Sequence, residues 1–111
     1  MKLIGSRLER TIESELRNGR SFIFNADEMK DAREKIETNY ENINSAFILN
    51  CIPEQGEDIY DIYVNNKVII NIEVDRFTGL AHINEIISEK EYKKGKKKNL
   101  QLKILIANRI T

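Results

Sequence analysis

The 111-residue sequence contains no tryptophan, one cysteine, one histidine and one proline. The single Cys51 cannot form an internal disulfide bond. Together with the single His82 it cannot supply the four ligands of a structural zinc site. No apolar run approaches the roughly 18 residues that a membrane-spanning helix needs. These absences argue against a disulfide-stapled domain, a zinc-stabilised domain and a membrane-spanning protein.

The sequence also lacks net charge, because 18 basic residues balance 18 acidic ones. The balance is uneven along the chain. Five of the basic residues lie within six positions, at Lys93, Lys94, Lys96, Lys97 and Lys98. Without them, thirteen basic residues stand against eighteen acidic ones. The chain is therefore an acidic body with one basic segment.

Composition predicts one soluble domain spanning residues 1–111. Apolar residues make up 41% and charged residues 32% of the chain, a proportion typical of globular proteins rather than disordered ones. A chain of this length can bury an apolar core without a metal ion or a disulfide. The first nineteen residues carry charges throughout and no continuous apolar stretch, which predicts a cytoplasmic protein.

The N-terminal part predicts two helices. Apolar residues recur every four positions from Ile4 to Leu16, and Asn18-Gly19 is a typical helix stop. Residues 21–24, SFIF, predict a short strand. A second helix then begins with Asn25 as its cap and runs to about residue 43.

The remainder follows a period of two, which predicts strands. Residues 45–52, 58–64 and 67–74 read as three strands, with Cys51 buried on the first. Asn65-Asn66 predicts a two-residue hairpin turn between the second and third, because asparagine tolerates a positive φ. That turn would place Asp58 opposite Glu73. Apolar side chains on both faces of this hairpin predict that it is central in the sheet.

Two further segments complete the predicted architecture. Residues 80–86 favour a strand that continues an antiparallel meander, although their isoleucines also fit helical spacing. Residues 100–107, LQLKILIA, predict a final strand. The predicted fold is thus α+β, with two N-terminal helices packed on a mainly antiparallel sheet of about five strands.

The hairpin carries the one pattern with catalytic character. An acidic residue on one strand, Asp58 or Asp61, precedes Glu73-Val74-Asp75 on the next. Residues 58–76 thereby resemble the PD-(D/E)xK nuclease superfamily, in which two carboxylates hold Mg²⁺ and a lysine helps to polarise water. Asp75 replaces that lysine. A helical segment over 80–94 would extend the resemblance to the order of elements between residues 26 and 107.

A simpler interpretation of these acidic residues is a solvated cluster at the open end of the hairpin, since a pattern this short arises by chance. Under either interpretation, Asp58 facing Glu73 predicts like-charge repulsion unless a cation lies between them. His82 and the scattered tyrosines belong to no recognisable catalytic motif. The sequence therefore supplies no complete catalytic set and no cofactor site, apart from Mg²⁺ under the nuclease alternative.

The lysine segment has two interpretations. Five lysines can contact phosphate backbones, which predicts weak, salt-sensitive binding of nucleic acid. The other interpretation is a solvated connection that Gly95 keeps open. Phosphate contacts carry no sequence information, and the acidic body would repel nucleic acid elsewhere. The segment therefore ranks as an accessory to binding and does not define the function.

The acidic residues favour a protein-binding function. The candidate partner-binding residues share one end of the predicted hairpin and are Glu54, Glu57, Asp58, Asp61, Glu73 and Asp75. Such a cluster can steer a basic protein toward it and match its surface potential. The sequence thus predicts a small inhibitor of the immunity, antitoxin or anti-defence type, with a nucleic-acid-acting toxin or nuclease as the basic partner. The second alternative is a divergent metal-dependent nuclease, and the third is a protein that binds nucleic acid without sequence specificity.

Overall fold

The computed structural model describes residues 7–94 and 98–111. Its elements in chain order are α1 (Arg7–Asn25), a 3₁₀ turn (Asp27–Met29), α2 (Lys30–Asn39), β1 (Ala46–Glu54), β2 (Glu57–Val64), β3 (Val68–Asp75), β4 (Ala81–Ser88), α3 (Glu89–Lys93) and α4 (Lys98–Ile110). The strands form one antiparallel sheet in the order β1-β2-β3-β4. The α+β class is confirmed, with four strands in the described chain instead of about five.

The first helix is longer than its sequence predicts. α1 continues through Gly19 and through residues 21–24, so the predicted helix stop and the predicted SFIF strand are both wrong. Gly19 has a packing role instead. A Cβ at that position would lie 3.3 Å from the Cβ of Ile48 on β1, so glycine allows the helix to pass close to the strand.

The second helix begins later than predicted. Asn25 is the last residue of α1, and its amide donates to Ser21 instead of capping a new helix. Residues 27–29 form the 3₁₀ turn, and α2 ends at Asn39. The guanidinium of Arg33 stabilises the junction between α1 and α2 by donating hydrogen bonds to the carbonyls of Ile23 and Ala26, at 2.6 and 3.0 Å.

The last predicted strand is also wrong, because residues 98–110 form α4. The alternation of Leu100, Leu102, Ile104 and Ile106 suggested a strand, yet the segment has the length and the leucine, lysine and glutamine content of a helix. Ile104, Ile106 and Ala107 are buried. A strand would keep Ile104 and Ile106 on one face and place Ala107 on the other, whereas in the helix all three belong to one buried cluster.

The central hairpin is confirmed, but its register is not. Asn65 and Asn66 have φ values of 53° and 56°, as a tight turn requires. Lys67 extends the turn by one residue, so Val64 pairs with Val68 and Asp58 pairs with Val74. Asp58 therefore does not face Glu73, and the predicted repulsion between them is absent.

The two faces of the sheet contribute to separate buried clusters. On the first face, Ile62, Ile70 and Ile72 share a cluster with Ile23 of α1 and Ile36 of α2. On the second face, the cluster joins residues of the sheet to α1, α3 and α4, and its members are Ile12, Leu16, Phe47, Leu49, Tyr63, Ile69, Tyr92, Ile104, Ile106 and Ala107. The central position predicted for β2 and β3 follows from this arrangement.

Both edges of the sheet are irregular. The pairing of β1 with β2 shifts between Ile48 and Asn50, and that of β3 with β4 shifts between Asn71 and Ile72. Such irregularities make it harder for another chain to pair with an edge strand of the sheet. No helix in the described part of the chain is long and apolar enough to cross a membrane.

Candidate functional site

Only one half of the second face is covered by helices. The covered half consists of Phe47, Tyr63, Ile69 and their neighbours in the buried cluster. Further along the same strands lies a region that we call the acidic strip, made of Ile52, Glu54, Glu57, Ile59, Asp61, Glu73 and Asp75. The pairing register places these residues on one face, because Ile59 lies opposite both Ile52 and Glu73, and Glu57 lies opposite both Glu54 and Asp75.

The acidic strip combines apolar and charged side chains. Ile52 is 48% exposed, and neither it nor Ile59 belongs to a buried cluster. Beside them, Glu57, Glu73, Asp75, Leu80 and His82 are among the residues that line a depression of about 340 Å³. The strip is therefore a shallow acidic surface around two cross-strand isoleucines.

Four carboxylates of the strip have no salt bridge to any residue that the structure describes. They are Glu54, Glu57, Glu73 and Asp75. Their mutual proximity raises the pKa of Glu57, chiefly through a hydrogen bond with Glu73, then through lost hydration and the negative charges nearby. Protonation of Glu57 relieves the repulsion, and an approaching cation would relieve it equally well.

Asp61 marks the inner boundary of the strip. It accepts hydrogen bonds from the Tyr92 hydroxyl at 3.0 Å and from the Asn71 amide at 2.7 Å. Asn84, the extra residue of β4, donates in turn to Asn71 at 2.8 Å. These bonds occupy both oxygens of Asp61, so it is more firmly held than the outer carboxylates.

Asp58 lies on the opposite face from the acidic strip, because neighbouring residues of a strand point to opposite sides. Its carboxylate pairs with Arg76 at 3.1 Å. Five of the six residues predicted to bind a partner are therefore brought together, and the sixth is held apart by a cation of its own. The predicted burial of Cys51 is wrong, since Cys51 is exposed on the same side as Asp58.

The lysine segment lies only partly within the described residues. Lys93 ends α3 and pairs with Glu89 at 3.3 Å, and Lys94 is exposed. Lys96 and Lys97 lie outside the described residues, as does the side chain of Lys98. Binding of nucleic acid by this segment stays a prediction.

Sequence reasoning missed two residues at the end of the sheet. Arg76 bridges the β1–β2 turn and the β3–β4 turn, and Phe77 is 89% exposed beside it. In the sequence, Asp75 and Gly79 bracket a short segment of the kind that forms a turn. The sequence did contain a signal for these two residues, namely a charged and an aromatic side chain in the middle of a turn that ends in glycine.

Comparison of the chain with models of known protein families, with curated proteins and with solved structures finds no match. The resemblance to PD-(D/E)xK nucleases therefore stays a prediction from residues 58–76. Residues 81–88 form β4, as the favoured interpretation predicted, and only residues 89–93 of the alternative helix over 80–94 are helical. Within residues 7–94 and 98–111, no three histidine, cysteine, aspartate or glutamate side chains are grouped so that they could hold a metal ion.

Proposed function

We propose that this chain is a protein-binding inhibitor whose acidic strip docks on the basic surface of another protein. The partner's surface would be one that acts on nucleic acid, as in proteins of the immunity, antitoxin or anti-defence type. Carboxylates can occupy the cationic groups that otherwise hold phosphates. Docking of the strip would thereby block access of nucleic acid to the partner.

The observation that carries the proposal is the uncompensated charge of the acidic strip. Glu54, Glu57, Glu73 and Asp75 lie together without a salt bridge to a described residue. Other carboxylates also lack a salt bridge within the described part of the chain, as Glu15 and Glu34 do, but in the strip the unpaired carboxylates crowd together, and the pKa of Glu57 is raised chiefly by its hydrogen bond with Glu73. Crowded like charges reduce the free energy of unfolding, and a basic partner would convert that repulsion into attraction.

The isoleucines of the strip support a protein partner in preference to a free cation. Ile52 and Ile59 lie opposite each other between the outer carboxylates and Asp61. Protein interfaces commonly combine an apolar centre with a polar rim. The arrangement offers both the charges that speed association and the apolar area that slows dissociation.

The test uses two variants with the same change in charge. One variant carries Glu54→Gln, Glu57→Gln and Glu73→Gln within the strip. The matched control carries Glu15→Gln, Glu28→Gln and Glu34→Gln, which are exposed residues of α1, the 3₁₀ turn and α2 and lie outside the acidic strip. Immobilised wild type and control should retain the same basic protein from extracts of the cells that encode the chain, and the strip variant should not.

Stopped-flow kinetics of the retained protein would then complete the test. We expect the strip variant to associate roughly tenfold more slowly than wild type at low ionic strength, and this difference to shrink as salt screens the charges. Wild type should also suppress the partner's action on nucleic acid at equal concentration. Equal association rates for strip variant and control would reject the acidic strip as the docking surface.

A further inference from the structure

Phe77 is the most exposed large apolar residue in the described part of the chain. Its side chain is 89% exposed at the tip of the β3–β4 turn. One ring carbon lies 3.6 Å from the position that a Cβ on Gly56 would occupy, so the ring rests beside the β1–β2 turn. Leu80, at 62% exposed, ends the same turn. Two large apolar side chains thus project from one short loop next to the acidic strip.

The loop that presents Phe77 is held by its own hydrogen bonds. One oxygen of Asp75 accepts from the backbone N–H groups of Phe77 and Thr78, at 2.8 and 3.1 Å. The N–H of Gly79 donates to the carbonyl of Asp75 at 2.8 Å, and glycine allows the required φ of 74°. The backbone at Phe77 is consequently organised before any partner arrives, which lowers the entropy lost on binding.

Arg76 fixes this loop to the neighbouring turn. Its Nη2 donates to the carbonyls of Glu54 and Glu57, at 2.7 and 3.2 Å, and its Nε donates to Asp58 at 3.1 Å. The backbone N–H of Arg76 donates to the carbonyl of Gly56 at 3.0 Å. A planar guanidinium can satisfy several acceptors at once, whereas a lysine ammonium cannot reproduce that fork. The two turns therefore form one rigid unit.

We propose that Phe77 is the anchor of the docking surface, inserting into an apolar socket that the partner rims with lysine or arginine, and that Arg76 is its positioning residue. The inference rests on the proposed function and names the chemistry of the partner's socket. Aromatic anchors in organised loops supply much of the energy of protein interfaces. Asp75 and Glu57 lie at the same end of the sheet to meet the cationic rim, and Asp58 neutralises the charge of Arg76.

A cyclodextrin with an ammonium group on each glucose unit reproduces this socket, since it has an apolar cavity and a cationic rim. Its binding, and that of neutral β-cyclodextrin, would be followed by NMR through the Phe77 ring and by calorimetry. At low salt we expect wild type to prefer the cationic ring by roughly tenfold, as a few exposed charge pairs would provide. Phe77→Ala should abolish binding of both rings at this site, and Leu105→Ala should change neither, although Leu105 is 63% exposed on α4.

Arg76→Lys separates positioning from general stability. The substitution keeps the charge but loses the fork, so we expect the preference for the cationic ring to fall toward unity while the neutral ring binds as before. Unchanged preference in Arg76→Lys would overturn the positioning role. Equal binding to wild type and Phe77→Ala would overturn the anchor. If Phe77→Ala still retains the natural partner and the strip variant does not, the role of Phe77 is rejected and the proposed function stands. If the strip variant retains the partner and Phe77→Ala does not, the electrostatic basis of the proposed function is rejected.

Discussion

The covered half of the second face and the acidic strip are built on the same strands, only a few residues apart, yet they differ in every physical property. In the covered half, Tyr63 is fully buried, and its hydroxyl is 2.9 Å from both Glu89 and Asn108. Among the described residues, no buried side-chain polar atom lacks a hydrogen-bond partner. In the strip, isoleucines are partly exposed and carboxylates crowd together. Buried apolar area is therefore concentrated in one half, and the other half exposes apolar and acidic side chains to solvent.

The boundary between the halves is a row of hydrogen bonds across three strands and α3. Tyr92 covers Asp61, Asn71 bridges Asp61 to Asn84, and each of these bonds is 3.0 Å or shorter. A buried polar group needs such partners, whereas an exposed one can use water. These hydrogen bonds satisfy the polar side chains at the margin of the apolar core, so the core can end partway along the sheet while the strands continue.

The largest expected difference between the halves is in the cost of removing an isoleucine. Ile69→Ala in the covered half should lower the free energy of unfolding by about 2 to 5 kcal/mol, because it leaves a cavity beside fully buried neighbours. Ile52→Ala in the strip should cost less than about 1 kcal/mol, because water already reaches that side chain. Urea unfolding of both variants measures the difference.

Similar costs for Ile69→Ala and Ile52→Ala would contradict the difference between the two halves, because they would place the strip within the core. Loss of partner binding in Ile52→Ala without loss of stability would show that this side chain serves binding and not folding.

The second difference concerns paired and crowded carboxylates, and Asp31 represents the paired kind. Asp31 accepts from the backbone N–H of Ala81 at 2.7 Å and from Lys35 at 3.0 Å, and these bonds lower its pKa from 3.8. A lowered pKa means that the native state binds the proton less tightly than the unfolded state, so the stabilisation is present above pH 3.8 and lost as pH falls further. Asp31→Asn should therefore cost about 1 kcal/mol at pH 7.

Denaturant unfolding of wild type and Asp31→Asn between pH 3 and pH 7 would follow this loss. The difference between the two proteins should narrow as the solution becomes acidic. A difference that stays constant with pH would assign the stabilisation to the shape of the side chain instead of its charge.

Local patterns predicted much of the sheet. The alternation of apolar residues located β1 to β3, the paired asparagines located the hairpin, and the favoured strand over 80–86 became β4. The register of the hairpin was wrong by one residue, because nothing local distinguishes a turn ending at Asn66 from one that includes Lys67. That single residue moved Glu73 and Asp75 to the face of Glu57 and Asp61 and separated them from Asp58.

The helices were less predictable because tertiary contacts decide them. Gly19 is a common helix stop, but in α1 it is the point where the helix touches Ile48. The leucines and isoleucines of α4 alternate like those of a strand, so the composition of a helix was outweighed there, and the buried cluster that α4 shares with α1 favours the helix. The crowding of the acidic strip was predictable from composition, whereas the loop of Phe77 depends on Arg76 reaching carbonyls about twenty residues away along the chain.

The smallest expected effect has the opposite sign and the opposite pH dependence. Glu57 has its pKa raised above 4.5 by Glu73 and by the other carboxylates of the strip. The native state thus binds this proton more tightly than the unfolded state does, so the free energy of unfolding falls as pH rises through the raised pKa.

Glu57→Gln removes the repulsion and should slightly stabilise the protein at pH 7. That gain should shrink as pH falls through the raised pKa and vanish below pH 4.5, where wild-type Glu57 is protonated in both states. Unfolding curves of Glu57→Gln and of the exposed control Glu15→Gln, measured against wild type from pH 4 to pH 8 at low and high salt, test this directly. A gain confined to Glu57→Gln, to neutral pH and to low salt would establish that the carboxylates of the strip repel one another in the folded protein. An equal gain in Glu15→Gln would reduce the effect to the general charge of the chain.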